Sequence, residues 1–267
     1  MKRQIVIGAV AALVAAGAVA YVIVSRLPGP APCAVASTAP PGPRGRATAA
    51  PDGGAVRVVE QGFTDELNGG VSYGAILANT STSIAYRTRV TFTFSRDGQV
   101  IEPASPDSGR STQEIPVIMP GQRVGVGTFE PLPSPGTVSA AELRLGDTTW
   151  LTPAALGAAY KPIAATVERT EHPNAQHPGY YRITFAADAP ACSDLDYRGA
   201  GVILRDASGT IIGGALSLSP GAACMRTRGT GLAEPGELLP VADDSRTQVF
   251  PYCDVAPAAD PDDHIAN

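Results

Sequence analysis

The stretch YRTRVTFTFS, residues 86–95, alternates between two kinds of side chain with a period of two. One set of alternate positions is mostly apolar, and the other set is arginine, threonine or serine. Successive side chains of a β-strand point to opposite faces of a sheet, so this alternation predicts a half-buried antiparallel strand. The positions expected on the buried face are Tyr86, Thr88, Val90, Phe92 and Phe94.

Further strand patterns surround this segment. VSYGAILA precedes it across the polar connection Asn79–Ser83, and an Asp-Gly turn leads into Val100 and Ile101. IPVIMPGQRVGVGTF indicates two strands around a Pro-Gly turn, and AELRLG indicates a closing strand. About seven short strands in roughly 95 residues are typical of a β-sandwich. The sequence therefore predicts a first sandwich domain over residues 56–148.

The second half of the chain repeats this order of strands and turns. Gly98, before QVI, corresponds to Gly209, before TII, at a spacing of 111 residues. Gly121, in MPGQ, corresponds to Gly236, in EPGE, at a spacing of 115 residues. Two nearly equal spacings predict tandem related modules. The predicted division is a junction over 149–162, a second sandwich over 163–253 and a disordered acidic tail over 254–267.

The chain begins with basic residues, followed by twenty uncharged and mostly apolar residues, Ile5–Val24. At about 1.5 Å per residue, a helix of this length spans about 30 Å, the thickness of the hydrocarbon core of a bilayer. Residues 1–26 are therefore expected to form a transmembrane anchor with a cytoplasmic amino terminus. A cleaved signal peptide is the alternative, since Ala18–Ala20 fits an A-x-A cleavage pattern. Both alternatives export the rest of the chain.

Residues 27–55 have the composition of a linker. They contain seven prolines and five glycines, with almost no large apolar side chains. Such a segment cannot bury a core, and its composition predicts a semi-extended spacer. The spacer is expected to hold the folded modules away from the membrane.

The segments VEQGFTDE, VSYGAILANTS, YRTRVTFTFSRDGQVI and IPVIMPGQRVGVG follow one another in the first half. In this order of features the chain resembles the FxLYD-like extracytoplasmic domains of bacteria, although the Phe-x-Leu-Tyr-Asp string itself is absent. The resemblance covers residues 56–145 well and the second half in outline. It implies a small immunoglobulin-like module that is commonly attached to a membrane anchor, and it implies no catalytic residues.

Charge and composition limit the class of partner. The chain has 20 basic and 25 acidic residues, for a net charge of −5, and no basic stripe interleaved with aromatic residues. Nucleic acids are bound through clustered lysine and arginine, so nucleic acid is not an expected partner. The 29 glycines and 25 prolines favour short strands and turns over a helical bundle.

Four cysteines, Cys33, Cys192, Cys224 and Cys253, all follow the predicted membrane segment. In an oxidising compartment they are expected to form disulfides. The expected strand order brings Cys224 back towards Cys192, which predicts a Cys192–Cys224 bond. Cys253 is expected at the opposite end, where it pairs with Cys33, joins another chain or stays free. No Cys-x2–4-Cys pair is present, so no zinc site is predicted.

Candidate catalytic residues are few. EHPNAQHP places Glu171, His172 and His177 close together, and the remaining histidine is His264. A metal there would need a further ligand from elsewhere, and the neighbouring prolines favour a solvated loop. No G-x-S-x-G, P-loop or dinucleotide-binding motif is present, and the acidic residues, Asp243–Asp244 among them, are expected in polar loops. The sequence therefore predicts no enzyme activity, no cofactor and no metal site.

The predicted fold is all-β, with two tandem immunoglobulin-like β-sandwich domains after an N-terminal transmembrane helix and a Pro/Gly/Ala-rich linker. The expected function is non-catalytic presentation of these modules, through polar loops or a free sheet edge, to an envelope protein or cell-wall component. One alternative is a cell-envelope hydrolase, which would place His172 or His177 within hydrogen-bond distance of a serine and an aspartate. The other is a solute- or lipid-binding module with an apolar cavity between its sheets.

Overall fold

The described residues of a computed structural model of the chain form one all-β body. These residues are 47–65, 70–101, 111–133, 137–156, 160–172, 181–188, 195–219, 223–225, 228–233 and 242–255. They contain fourteen strands and two short 3₁₀ turns, Pro153–Leu156 and Asp244–Arg246, and within these ranges there is no α-helix. All of them fall in a single compact unit, Ala34–Asn267. The predicted anchor lies outside the described residues.

The strands follow the turns that the sequence indicates. In the first half they are β1 (Val56–Asp65), β2 (Gly70–Asn79), β3 (Ile84–Arg96), β4 (Gln99–Ile101), β5 (Thr112–Ile118), β6 (Arg123–Pro131), β7 (Ala140–Leu145) and β8 (Thr149–Leu151). In the second half they are β9 (Ala164–Glu171), β10 (Arg182–Asp188), β11 (Asp196–Arg205), β12 (Ile211–Ser217), β13 (Gly229–Ala233) and β14 (Gln248–Asp254). Every pairing between these strands is antiparallel.

The strands form four sheets, numbered here in the order in which they pack. Sheet 1 has β3 at its centre, with β4 and β5 along one side and β7 and β8 along the other. Sheet 2 is β1-β2-β6, sheet 3 is β12-β11-β14 and sheet 4 is β13-β10-β9. The predicted β-sheet character is confirmed, and the sheets face one another in a sandwich-like stack.

The alternation of β3 is confirmed residue by residue. All five positions predicted on its apolar face are buried, while the arginine, threonine and serine positions between them are half-buried. Phe92 packs edge-on against Tyr73 of β2, with ring centroids 5.4 Å apart. This contact lies in the core between sheets 1 and 2, which β5, β6 and β7 complete.

Sheets 2 and 3 are inner layers, covered on both faces. In β2, Val71 and Tyr73 belong to the core shared with sheet 1, whereas Ile76 packs against Ile203 of β11. The neighbours of Ile203 on β11 turn the other way, into a core shared with sheet 4. Alternate residues of one strand therefore serve two different cores, as the pleat of a strand requires. The two segments predicted as tandem domains share a buried interface within one compact unit.

A row of three glycines allows sheets 2 and 3 to approach closely. Gly62, Gly74 and Gly127 lie directly opposite one another on β1, β2 and β6. A Cβ atom placed on them would lie 1.8 Å from the Ile211 carbonyl oxygen, 2.3 Å from the Gly213 carbonyl oxygen and 2.4 Å from a β12 amide nitrogen, respectively. Strand β12 thus crosses this row with its backbone in contact, which only glycine permits.

Hydrogen bonds also stabilise the interface between sheets 2 and 3. Ser72 Oγ donates to the Gly214 carbonyl oxygen at 3.0 Å, and Thr64 Oγ1 donates to the Ile212 carbonyl oxygen at 2.6 Å. These bonds satisfy buried groups whose desolvation would otherwise oppose packing.

The structure corrects the predicted disulfide. Cys224 bonds to Cys253, with the Cα atoms 5.6 Å apart, so it is not paired with Cys192. The prediction placed Cys253 at the far end of the second half. Instead β14 runs antiparallel to β11 and brings Cys253 opposite Tyr197, beside the turn that carries Cys224. Cys33 and Cys192 lie outside the described residues.

Candidate functional site

A buried ionic cluster lies where β3 of the first half meets β14 of the second. Asp254 is only 2% exposed. Its Oδ2 lies 3.1 Å from Arg87 Nη2 and 3.6 Å from Arg198 Nη2, and its Oδ1 accepts a hydrogen bond from Tyr86 OH at 3.0 Å. A carboxylate is tolerated at such depth only when opposite charge and hydrogen-bond donors compensate it.

Two further carboxylates extend the cluster on either side. Glu114 Oε1 lies 3.7 Å from Arg87 Nε, and Asp196 Oδ2 lies 3.2 Å from Arg198 Nε. Carboxylates and guanidinium groups therefore alternate through the joint. We use the name Asp254 cluster for six residues: Tyr86, Arg87, Glu114, Asp196, Arg198 and Asp254.

The backbone of Arg87 has an uncommon conformation. Its φ is +51°, in the left-handed region that bulky residues rarely adopt. The register of β3 and β5 passes from Tyr86 opposite Val117 to Thr88 opposite Ile115, so Arg87 faces Pro116, which has no N–H to donate. A conformation of this kind costs on the order of 1–3 kcal/mol and persists only where the surroundings fix it. The contact of the guanidinium group with the buried carboxylate of Asp254 is one of the contacts that restrain this residue.

The phenols beside the cluster are donors. Burial, followed by the negative charge of Asp254, raises the pKa of Tyr86 far above its ordinary value. The same causes, in the same order, raise the pKa of Tyr160, whose OH donates to the Cys253 carbonyl oxygen at 3.5 Å. Both phenols therefore keep their protons at neutral pH. Carboxylates neutralised by arginine and phenols that keep their protons stabilise the packing of the two halves.

His172, a residue singled out for possible chemistry, contacts an acid. Its Nε2 lies 2.6 Å from Asp244 Oδ2, and both side chains are well exposed. Tyr181 OH also donates to Asp244, at 3.4 Å. The adjacent Ser245 donates its hydroxyl to Asp243 at 2.7 Å and not to His172. The hydrolase alternative requires a serine and an aspartate within hydrogen-bond distance of a histidine. His172 has the aspartate, and Ser245 does not supply the serine.

The sequence predicts no metal site, although Glu171 and His177 beside His172 are conceivable ligands. Glu171 Oε1 pairs with Arg169 Nη2 at 2.6 Å. His177 and His264 lie outside the described residues. Within the described ranges, no three His, Cys, Asp or Glu side chains are grouped so as to hold a metal ion.

The polar connection Asn79–Ser83, predicted as a contact surface or a turn, is a turn. Hydrogen bonds within it and to neighbouring segments hold it in place. Asn79 is buried, and its Nδ2 donates to the carbonyl oxygens of Ser83 and Ile118 at 2.8 and 2.9 Å. Asp52 accepts from Thr82 Oγ1 at 2.6 Å and from Thr82 N at 2.7 Å. The hydrogen bonds from Thr82 hold the pKa of Asp52 well below its usual range. No pattern in the sequence indicates that Asp52, a residue of the predicted linker, bonds to this turn.

Comparison with protein-family models, with curated proteins and with solved structures gave no match. In the part of the chain that the structure describes, no helix is long and apolar enough to cross a membrane. The interpretation of function therefore depends on the geometry of the chain itself.

Proposed function

We propose that this chain is an exported, membrane-anchored and non-catalytic protein that presents immunoglobulin-like β-sandwich modules to a partner in the cell envelope. Sheets 1 and 2 enclose one core and sheets 3 and 4 enclose another, an arrangement compatible with two such modules packed together. The resemblance to FxLYD-like domains points in the same direction.

The disulfide supports export. Cys224 and Cys253 are 2% and 3% exposed, and they are bonded within the folded body. Disulfides of this structural kind form in oxidising compartments and are rare in the cytosol. An apolar segment with a basic start, Ile5–Val24, would deliver the body to such a compartment and hold it at the membrane.

The Asp254 cluster is the observation that carries the non-catalytic part of the proposal. Its arginines, carboxylates and phenol bond one another across the joint between the two halves. These side chains could otherwise serve as acids, bases or anion ligands. In these contacts they hold the two proposed sandwiches together. The outer faces and loops are then left to contact the partner.

Site-directed photocrosslinking in intact cells tests this proposal. A photoreactive amino acid would replace Val100, Val59 or Leu218, which are 61%, 46% and 50% exposed and lie on sheets 1, 2 and the end of sheet 3. We expect a reproducible adduct from one position and none from the others, because a partner covers one surface. Adducts at no position, or the same adducts at all three, would contradict presentation to a specific partner.

A hydrolase is the second candidate, favoured by the contact between His172 and Asp244. A histidine oriented by a carboxylate is the general-base half of a hydrolytic site. The test is labelling of the exported chain by a fluorophosphonate, with His172→Ala and the exposed Arg169→Ala as a pair of variants. Labelling that His172→Ala alone abolishes would favour the hydrolase, and absence of labelling in the wild type would count against it.

A further inference from the structure

Strand β14 serves both halves of the molecule with its two faces. Val249 and Cys253 turn towards the second half, where Val249 packs in the core between sheets 3 and 4 and Cys253 bonds to Cys224. Tyr252 and Asp254 turn towards the first half. Tyr252 OH donates to the Gly125 carbonyl oxygen of β6 at 2.7 Å, and Asp254 reaches the arginine of β3. One strand of seven residues thus carries buried bonds to both halves.

The position of β14 in its sheet makes these bonds important. Among the described strands, β14 pairs with β11 alone, at the edge of sheet 3. Its C-terminal end is held by the disulfide to Cys224, and the turn of Cys224 is tied to the start of β11 because Leu195 N donates to the Cys224 carbonyl oxygen at 2.9 Å. An edge strand without a second neighbour opens more readily than a central one. The disulfide closes the end from which opening would begin.

We propose that β14 is a strap that oxidation of Cys224 and Cys253 locks across both halves, so that a disulfide within the second half controls the order of the first half. In the dithiol form the end of β14 is free to leave its place. Asp254 then leaves Arg87, and the left-handed backbone of Arg87 loses one of the contacts that restrain it. The segment of β3 around Tyr86–Thr88 loosens as a consequence.

The closing step is a thiol–disulfide exchange. The thiolate of one cysteine attacks the disulfide of an envelope dithiol–disulfide oxidoreductase, which forms a mixed disulfide and releases one oxidoreductase thiolate. The thiolate of the second cysteine displaces the other oxidoreductase sulfur and forms the Cys224–Cys253 bond. The two cysteines together lose two protons and two electrons, and the oxidoreductase disulfide becomes a dithiol. Locking is therefore coupled to arrival in an oxidising compartment.

Hydrogen exchange read by mass spectrometry tests the strap in the full chain. The Cys224→Ser/Cys253→Ser double variant removes this disulfide and leaves the other two cysteines unchanged. We expect amide exchange at least about tenfold faster in β14 and in the distant segment Tyr86–Thr88, while β10 stays protected. Faster exchange confined to residues 223–225 and 253–255, or equal acceleration throughout including β10, would overturn the proposal.

A second pair of variants applies if the double variant does not fold. Asp254→Asn, with the disulfide intact, releases the strap from Arg87 and should accelerate exchange in Tyr86–Thr88 by a larger factor than in β10. Asp196→Asn is the matched control, since Asp196 belongs to the same cluster but its side chain is 45% exposed. We expect wild-type exchange in the control. Unchanged exchange in Asp254→Asn, or equal changes in both variants, would overturn the proposal.

Discussion

Replacing Gly74 by alanine tests the close approach of sheets 2 and 3. Gly74 is the central member of the row of three glycines that β12 crosses. Its new Cβ would lie 2.3 Å from the Gly213 carbonyl oxygen and 2.8 Å from the Gly213 carbonyl carbon. Both obstacles are backbone atoms of β12, which antiparallel pairing to β11 holds in place. No side-chain rotation can relieve this contact.

The cost of the substitution follows from the distance that must be gained. An ordinary contact of a Cβ begins near 3.4 Å, so the two sheets must separate by about 1 Å at this point. Overpacking of a close-packed interior costs about 1–3 kcal/mol, and rigid backbone on both sides places this site at the upper end. We expect a loss of about 3 kcal/mol. At about 2–4 °C per kcal/mol for a body of this size, the melting temperature should fall by roughly 6–12 °C.

Urea and thermal unfolding, followed by circular dichroism, measure this loss. Gly146→Ala is the matched control, because its nearest contact would be the Cβ of Arg89 at 3.3 Å and no positive φ is involved. The control should stay within about 1 kcal/mol of the wild type. If Gly74→Ala also stays within about 0.5 kcal/mol, with an unchanged dependence on urea, sheets 2 and 3 are not held in backbone contact and the four-layer packing is wrong.

Three further predictions concern charge and ionisation. Asp254→Asn leaves Arg87 beside an uncharged amide, so we expect a loss of about 3 kcal/mol in urea unfolding, and wild-type stability would contradict the role of the cluster. Burial raises the pKa of Tyr197 to about 12. The unfolded chain therefore binds fewer protons from about pH 10 upwards, and melting temperatures should fall as pH rises from about 10 to 12. A constant melting temperature over that interval would refute this. The depressed pKa of Asp52 keeps its carboxylate ionised in the folded state, so its stabilising contribution is present above about pH 4 and is lost as pH falls through the folded-state value. In an NMR titration Thr82→Val should return the pKa towards normal, and identical titration curves would contradict the assigned cause.

Local patterns explain what the sequence predicts well. The alternation of β3 is a property of neighbouring residues, and its five buried positions follow from the pleat alone. The Asp-Gly and Pro-Gly turns are local in the same way, and Gly98 and Gly121 both have the positive φ that such turns require, at +79° and +73°. The presence of strands and the positions of turns in the described residues can therefore be predicted from the sequence.

Long-range register explains what the sequence does not predict. Gly62, Gly74 and Gly127 look unrelated until pairing places them in one row. Asp254 belongs by composition to an acidic tail, yet its partner Arg87 is 167 residues away. The predicted disulfide is wrong for a related reason, because the sequence does not show that β14 pairs antiparallel with β11, which brings Cys253 to the end of the sheet where Cys224 lies. One signal was present, since VSYGAILA in β2 lacks alternation, and a strand without a polar face indicates cover on both sides.

The burial of sheets 2 and 3 between other sheets limits where a partner can bind. Sheet 2 is packed between sheets 1 and 3, and sheet 3 is packed between sheets 2 and 4, so their faces are occupied within the described residues. The outer faces of sheets 1 and 4, the exposed edges of sheets 2 and 3, where Val59 and Leu218 lie, and the loops are left for contact. On sheet 1 that face carries the half-buried threonines of β3, next to the charged pair of Arg144 and Glu142. The proposed partner is therefore expected to contact polar sheet surface or loops, since an apolar helix inserted between sheets 2 and 3 would have to separate backbone that is already in contact.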